Sequence, residues 1–300
     1  MTYNIRGYFP CDTFKEPSHH WYYRQDKIID IIKKERPDIL GLQEVFNISK
    51  EISFSSNGKD YKMGYLYDSL IVKNIKELHQ EKIYISPPNH LIRDYVREKL
   101  IKIGYAYFYK AGASPKIIFY KEKKFKFIKG NVYYHNQTNR KSSTFLFLKY
   151  IKTKEIILII NTHLINKKKN YKIREKSIDF IFNKITEVNK NDHPVIFMGD
   201  FNINIKSKEY KYLSNKLKKY NLINSSNDST YNGFGIKKKK IDYIFYSSYL
   251  KRIDAKVIRN VYNIDTNKME NYNGNIRNNI LFPSDHWALK VKFNMDSKNE

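Results

Sequence analysis

VIFMGDFN, residues 195–202, sets the apolar run Val195 to Met198 directly against Gly199, Asp200 and Asn202. A short apolar run bounded by turn formers reads as a strand buried on both faces. A core strand has no use for a carboxylate and a carboxamide at its tip, so the polar end is where chemistry is expected. Two other stretches repeat the arrangement: Ile39 to Leu42 runs into Gln43 and Glu44, and Ile156 to Ile160 runs into Asn161 and His163. Asp242 opens the strand IDYIF, and Asp285 with His286 precedes the closing strand ALKVKF. Five segments thus bring carboxylates, imidazoles and carboxamides to strand ends, a constellation that packing alone does not explain.

Around these strands the chain alternates further elements. Ile28, Ile29, Ile31 and Ile32 recur at near-helical spacing within Trp21 to Arg36, and Pro37 with Asp38 ends the pattern. Helical patterns also fall at Tyr171 to Val188 and Ser207 to Tyr220, and strand-like runs at Lys116 to Tyr120, Phe125 to Ile128 and Thr144 to Tyr150. Many strands with a few interspersed helices imply a layered α/β architecture. No repeat and no Gly-, Ser- or Pro-rich linker divides the chain, so one domain over residues 1–300 is expected. Residues 47–88 lack firm periodicity and read as a surface insertion, helical in part between Ser69 and His79.

Composition excludes several classes. With 300 residues, 41% of them hydrophobic, the chain can build a sizeable core, which argues against disorder. Mean hydropathy is −0.66, and no apolar stretch approaches the roughly 20 residues of a membrane-spanning helix. The single cysteine, Cys11, cannot form an internal disulfide or a CxxC metal pair, and nothing near it makes a nucleophilic dyad. The opening residues MTYNIRG lack a cationic start followed by an apolar stretch, so no signal peptide is expected and the cytoplasm or nucleus is the default location. Only Met1 precedes a strand that would carry Asn4, so a start upstream of Met1 is an open expectation. The net charge of +26 would attract polyanions, although a chain so rich in Lys, Asn, Ile and Tyr also reflects codon drift. The lysine runs 167–169 and 237–240 read first as solvated loops.

In order and wording these segments resemble the endonuclease/exonuclease/phosphatase family, which includes deoxyribonuclease I. The matching stretches are TYNIR (2–6), the W-x-x-R of Trp21 and Arg24, RPDILGLQEV (36–45), NTHL (161–164), VIFMGDFN (195–202), IDYIF (241–245) and PSDHWAL (283–289). GDFN or SDH alone would be a weak signal, whereas all of them in this order are a specific one. The wording is most similar to the small bacterial-type metal-dependent hydrolases of the family. Two departures stand out: where those relatives usually carry a Gly-Glu pair before the IFY strand, this chain reads AGASPKIIFY (111–120), and the long insertion after QEV is expected near the rim of the cleft.

The resemblance implies a deoxyribonuclease I-like, four-layered α/β/β/α sandwich with two central, mostly antiparallel sheets. It implies that Glu44, assisted by Asn4 and with Asp285 nearby, holds Mg²⁺, with Mn²⁺ a possible substitute. Zinc ranks second as the metal, since two histidines and carboxylates could bind it. Asp200 would orient or deprotonate the attacking water, and Asn202 would hold a phosphate oxygen. His286, kept cationic by Asp285 or Asp242, would bind phosphoryl oxygens, with His163 facing the leaving group. Arg24 and Lys237, Lys238, Lys239 and Lys240 are expected substrate contacts. The remaining histidines, His135 and His193 among them, match no motif and are expected at the surface. The expected activity is hydrolysis of phosphodiesters in nucleic acid by a monomeric enzyme. The alternatives are a phosphatase or phosphodiesterase on a small or lipid phosphoester, and a catalytically silent binding module on the same scaffold. Taken singly, Glu44, Asp242 and Asp285 could be solvated strand-end carboxylates and His163 a satisfied core histidine.

Overall fold

A computed structural model describes residues 1–7, 17–19, 21–45, 52–56, 59–63, 92–108, 116–135, 141–263 and 280–295. Cys11 and the helix expected between Ser69 and His79 lie outside them. In chain order the elements are β1 (Thr2–Asn4), α1 (Trp21–Glu35), β2 (Ile39–Gln43), β3 (Ile52–Ser56), β4 (Lys59–Met63), α2 (Ile92–Ile101), β5 (Tyr105–Phe108), β6 (Ile117–Lys121) and β7 (Phe125–Tyr134). There follow β8 (Ser142–Tyr150), β9 (Ile156–His163), α3 (Tyr171–Val188), β10 (Val195–Asp200), α4 (Lys208–Lys219), β11 (Leu222–Asn224), β12 (Asp242–Ser247), β13 (Lys251–Ile258), β14 (Tyr262–Asn263), β15 (Ile280–Leu281) and β16 (Ala288–Asn294).

Two six-stranded sheets face each other, in the orders β13-β16-β1-β2-β6-β5 and β11-β12-β10-β9-β8-β7. Each is antiparallel except for one parallel pair, β1 with β2 and β9 with β10. Period-two alternation sorts the side chains into layers. On β10, Val195 and Phe197 face α3 and α4, while Ile196 and Met198 face the other sheet. On β2, Leu40 and Leu42 pack with Ile28, Ile32 and Val96 of α1 and α2. Ile118, Leu146, Ile157, Ile159, Ile244 and Leu289 fill the space between the sheets. This is the expected four-layered sandwich. Among the described residues no helix is long and apolar enough to cross a membrane.

The helices at Tyr171–Val188 and Lys208–Lys219 fall where the periodicity places them, the latter capped by Ser207, whose side chain accepts from the Tyr210 amide. Strand β7 runs on to Tyr134, well past the expected end at Ile128. Its outer residues Lys126 and Lys129 stay in the ladder because β7 is a sheet edge with one solvated side. The edge strand β13 is missed for the same reason, most of its residues being exposed. Within the expected insertion at 47–88, β3 and β4 pair as an antiparallel hairpin.

Candidate active site

The register of the second sheet sets three site residues in a row: Asp200 pairs with Asp242 on one side and with His163 on the other. Gly199 makes this row possible. A Cβ at that position would lie 2.0 Å from the Thr162 carbonyl oxygen. The first sheet contributes Asn4 from the end of β1, Glu44 just after β2, and Asp285 with His286 just before β16. Glu44 and Asn202 hold left-handed backbone conformations, φ 63° and 53°, which turn the chain sharply as each strand ends.

Asn4 joins the two halves. Its Nδ2 donates to Glu44 Oε1 and to Asp200 Oδ2, both at 3.1 Å, while its Oδ1 accepts from the Arg6 amide at 3.0 Å. Asn4 thus links the two acids through Nδ2 while its carboxamide oxygen, which has a second lone pair, accepts from the Arg6 amide. Asp200 Oδ1 accepts from the Asn202 amide at 2.9 Å, and Asn202 Nδ2 donates to the Leu164 carbonyl at 3.0 Å.

His286 is gripped by Asp242, whose two carboxylate oxygens lie 3.1 and 2.9 Å from Nδ1. The orienting partner is thus Asp242; Asp285 approaches the other nitrogen, with Oδ1 at 3.8 Å from Nε2. Asp200 Oδ2 lies 3.9 Å from the same nitrogen and 3.5 Å from His163 Nε2. The Tyr231 ring stands edge-on to the imidazole at 4.9 Å. Thr230 Oγ1 accepts from the Asp242 amide, and Ser284 Oγ bridges the Asn4 carbonyl and the His286 amide.

Burial drives the titration of these groups apart. Asp200 is pushed up to about 7 by burial and then by the like charge of Asp242, against the pull of His286. Burial also raises Glu44, with Asp285 adding to it. For His286 burial acts downward, yet Asp242, Asp285 and Asp200 together raise it to about 10. His163 goes the opposite way, well below its ordinary value, through burial and the charges of Lys141 and Lys116. At neutral pH the site therefore holds one cationic and one neutral imidazole on either side of Asp200.

Two carboxylate oxygens, Glu44 Oε2 and Asp285 Oδ1, are buried with no hydrogen bond among the described residues. Such atoms suit a hard divalent cation, which takes oxygen ligands and keeps several waters. Ligand atoms of Asp200, Asp242 and His286 also lie within 4.8 Å of one another. There Nδ1 of His286 already bonds Asp242, which leaves Nε2 as the ring atom open to an outside partner.

Other expected residues are placed elsewhere. Arg24 lies beneath the site with every donor on a backbone carbonyl: Nε on His19, Nη1 on Ile5 and Pro283, Nη2 on Arg6 and Gly7. It is a structural clamp, not a substrate contact, because no donor is left for an outside acceptor. Lys237, Lys238 and Lys239 are exposed, but Lys240 is buried with its ammonium 4.9 Å from the Tyr243 ring centroid. It faces inward because Lys239 is pinned to Tyr231 and the chain then enters β12. Gln43 and Asn161 meet each other at 2.7 Å between the sheets and do not reach the site. His135 is half-buried, not superficial, and bonds Ser143 Oγ at 2.8 Å. Arg6, Thr230, Tyr231 and Ser284 were passed over. Arg6 and Ser284 carried a signal, as the last residue of TYNIR and the second of PSDHWAL.

The family model described as "Endonuclease/Exonuclease/phosphatase family" matches residues 1–286. Among solved structures, a mannosyl-6-phosphatase of Bacteroides thetaiotaomicron superposes with TM-score 0.67 at 20% identity, covering 98% of both chains. A humanized D. rerio TDP2 gives TM-score 0.62 at 14% identity over 98% of this chain and 97% of the other. The human nocturnin catalytic domain gives 0.56 at 18%, over 91% and 87%. No curated protein sequence matches the chain.

Proposed function

We propose, for a chain that belongs to the endonuclease/exonuclease/phosphatase family, a Mg²⁺-dependent phosphodiesterase activity on nucleic acid within a single domain spanning residues 1–300. The family hydrolyses phosphate esters and generally uses a divalent metal. The observation that carries the reading is the pair of buried oxygens without a hydrogen bond among the described residues, Glu44 Oε2 and Asp285 Oδ1, near Asp200, which stands between a neutral and a cationic imidazole. Nucleic acid is favoured over other phosphoesters by the net charge of +26 and by Lys237 to Lys239, exposed on a loop pinned to Asp285 through the Asn232 and Gly233 amides.

In this reading Glu44 and Asp285 hold the cation, and Mn²⁺ could replace Mg²⁺. The bound ion would supply Lewis acidity worth several kcal/mol toward the charge that builds on phosphorus. Asp200, held by Asn4 and the Asn202 amide, orients a water and takes its proton. His286 donates from Nε2 to a phosphoryl oxygen while Asp242 keeps its ring aligned and charged. His163, neutral, stands on the leaving-group side, and Asn202 binds a further phosphate oxygen.

A second reading, a phosphatase on a small phosphoester, draws on the likeness to the mannosyl-6-phosphatase along nearly the whole of both chains. Labelled DNA and RNA, mannose 6-phosphate, a phosphoinositide and sphingomyelin, each with Mg²⁺ and with chelator, separate the two. Metal-dependent cleavage of nucleic acid is the expected result. Faster phosphate release from the monoester, or activity that survives chelation, would overturn it.

A further inference from the structure

The described side chains between the two sheets are largely apolar, Ile118, Leu146, Ile159, Ile244 and Leu289 among them. Such contacts hold the sheets together without fixing a direction, because burial of apolar surface is non-directional. One layer beneath the acids the filling changes to two carboxamides, Gln43 of β2 and Asn161 of β9, both fully buried. Gln43 Nε2 donates to Asn161 Oδ1 at 2.7 Å, and it also donates to Thr2 Oγ1 of β1 at 3.0 Å. Asn161 Nδ2 donates in turn to the carbonyls of Leu42 at 2.9 Å and Ile117 at 3.1 Å. Leu42 and Ile117 are the last pair of the β2–β6 ladder, so a side chain from the opposite sheet takes the carbonyls where that ladder stops. Gly41 leaves the space for this crossing: a Cβ there would lie 2.7 Å from Met198 Cε and 3.0 Å from Asn161 Cγ.

The crossing joins the strands that carry the site. Gln43 immediately precedes Glu44, whose φ of 63° follows the end of β2. Asn161 pairs with Met198, and two residues on, on the same face of the strands, His163 pairs with Asp200. Thr2 stands two residues before Asn4 on β1. Each strand that Gln43 meets thus hands a site residue to the layer above. Asn4 bonds Glu44 to Asp200 within that layer, and the bond from Gln43 to Asn161 ties the two sheets again one layer lower. Two buried carboxamides are a costly filling for a core, and Gln43 Oε1 has no hydrogen bond among the described residues. An apolar pair of similar volume would pack there at lower cost, but it would not fix the distance and direction between the sheets.

We infer that Gln43 and Asn161 are positioning residues that set the spacing between Glu44, on one sheet, and the row of Asp200 and His163 on the other. Through that spacing they govern the grip on a divalent cation and the aim of the attacking water, although neither side chain reaches the site. The inference rests on the proposed function only in taking Glu44 as a ligand of the cation.

The full chain is compared with Gln43→Met, which keeps the volume and loses the amide, and with Asn161→Ser, which leaves room for water to meet the Leu42 and Ile117 carbonyls. Mn²⁺ binding to the folded proteins, followed without substrate by the paramagnetic relaxation of water protons, should weaken about tenfold in each, the lower end of what residues supporting a metal ligand contribute. With Mg²⁺ and whichever phosphoester the protein cleaves, kcat should fall about tenfold or more while KM stays within about twofold, since reacting groups are displaced and substrate contacts are not. The double variant should be no more than about twofold worse than the worse single variant, because the shared bond is lost only once. A pair that merely stabilised the fold would lower the melting temperature and leave the Mn²⁺ affinity and kcat of the folded protein as they are. That outcome, or losses that add in full in the double variant, would overturn the positioning role. Glu44→Gln tests the cation reading separately: if it binds Mn²⁺ as the wild type does, that reading fails, and the fall in kcat of Gln43→Met at unchanged KM decides the pair. If no phosphoester is cleaved, the Mn²⁺ measurement decides it.

Discussion

Arg24 and the carboxylates above it are both buried polar clusters at the same end of the sandwich, yet they differ in one respect. All five guanidinium donors of Arg24 meet backbone carbonyls, while Glu44 and Asp285 each keep a buried oxygen with no hydrogen bond among the described residues. A saturated cluster has no capacity left for a ligand and spends its interactions on holding loops together. An unsaturated one costs stability and persists where something else completes it. Saturation therefore separates a structural arginine from functional acids, though each sits in a family motif.

The largest effect should come from breaking the saturated side. Arg24→Met strands five carbonyls, each costing about 1–3 kcal/mol unless water relieves it, so a loss of about 4 kcal/mol or more is expected by denaturant titration. A variant that kept its stability and lost only activity would return Arg24 to the substrate contacts. On the unsaturated side the pattern should reverse. Asp200→Asn should lower kcat by about 10²–10⁴ while the melting temperature holds or rises, because a like charge beside Asp242 is removed. Equal losses of activity and stability would erase the distinction.

The acids also dictate a pH signature in metal-free protein. Asp200 is raised from 3.8 to about 7 in the folded state, so its contribution is complete below pH 3.8 and is lost as pH rises through 7. Glu44 is shifted in the same direction. His286, raised from 6.5 to about 10, contributes fully below 6.5 and loses that contribution as pH rises through 10. The wild-type melting temperature, referred to that of Asp200→Asn, should therefore fall between pH 4 and 7, and a divalent cation should reduce the fall. A difference flat with pH would mean that Asp200 is not destabilised by its surroundings.

The smallest effects belong to the lysine loop. Changing Lys237, Lys238 and Lys239 to Ser should reduce the slope of log affinity against log salt by about 0.7 per lost contact for single strands, and raise KM more than it lowers kcat. Lys240→Met, a change at a buried position, should leave the slope alone and alter stability instead. An altered slope in Lys240→Met would show that burial does not exclude it from the substrate.

The layered architecture was legible because Val195–Met198, Ile39–Leu42 and Ile156–Ile160 are apolar runs too short for helices, and because Ile28 to Ile32 keeps helical spacing. The edge strands β7 and β13 were not, since a half-solvated strand dilutes its pattern with lysines. The motifs likewise located Asp200, Asp242, His163 and His286 but could not assign partners among them. That Asp242 and not Asp285 bonds His286 Nδ1, that Asn4 links Glu44 to Asp200, and that Lys240 turns inward depend on cross-strand register and on which donors are already used.

By itself the sequence determined the central strands and three of the helices of the sandwich and the residue types at the strand ends, because periodicity and turn chemistry act over a few neighbouring residues. Only the tertiary structure decided which buried polar atoms are satisfied and which remain open. The side-chain bonds from Asn4 to Asp200 and from Asp242 to His286 join segments far apart in the chain, and that pairing exists only once both sheets are formed.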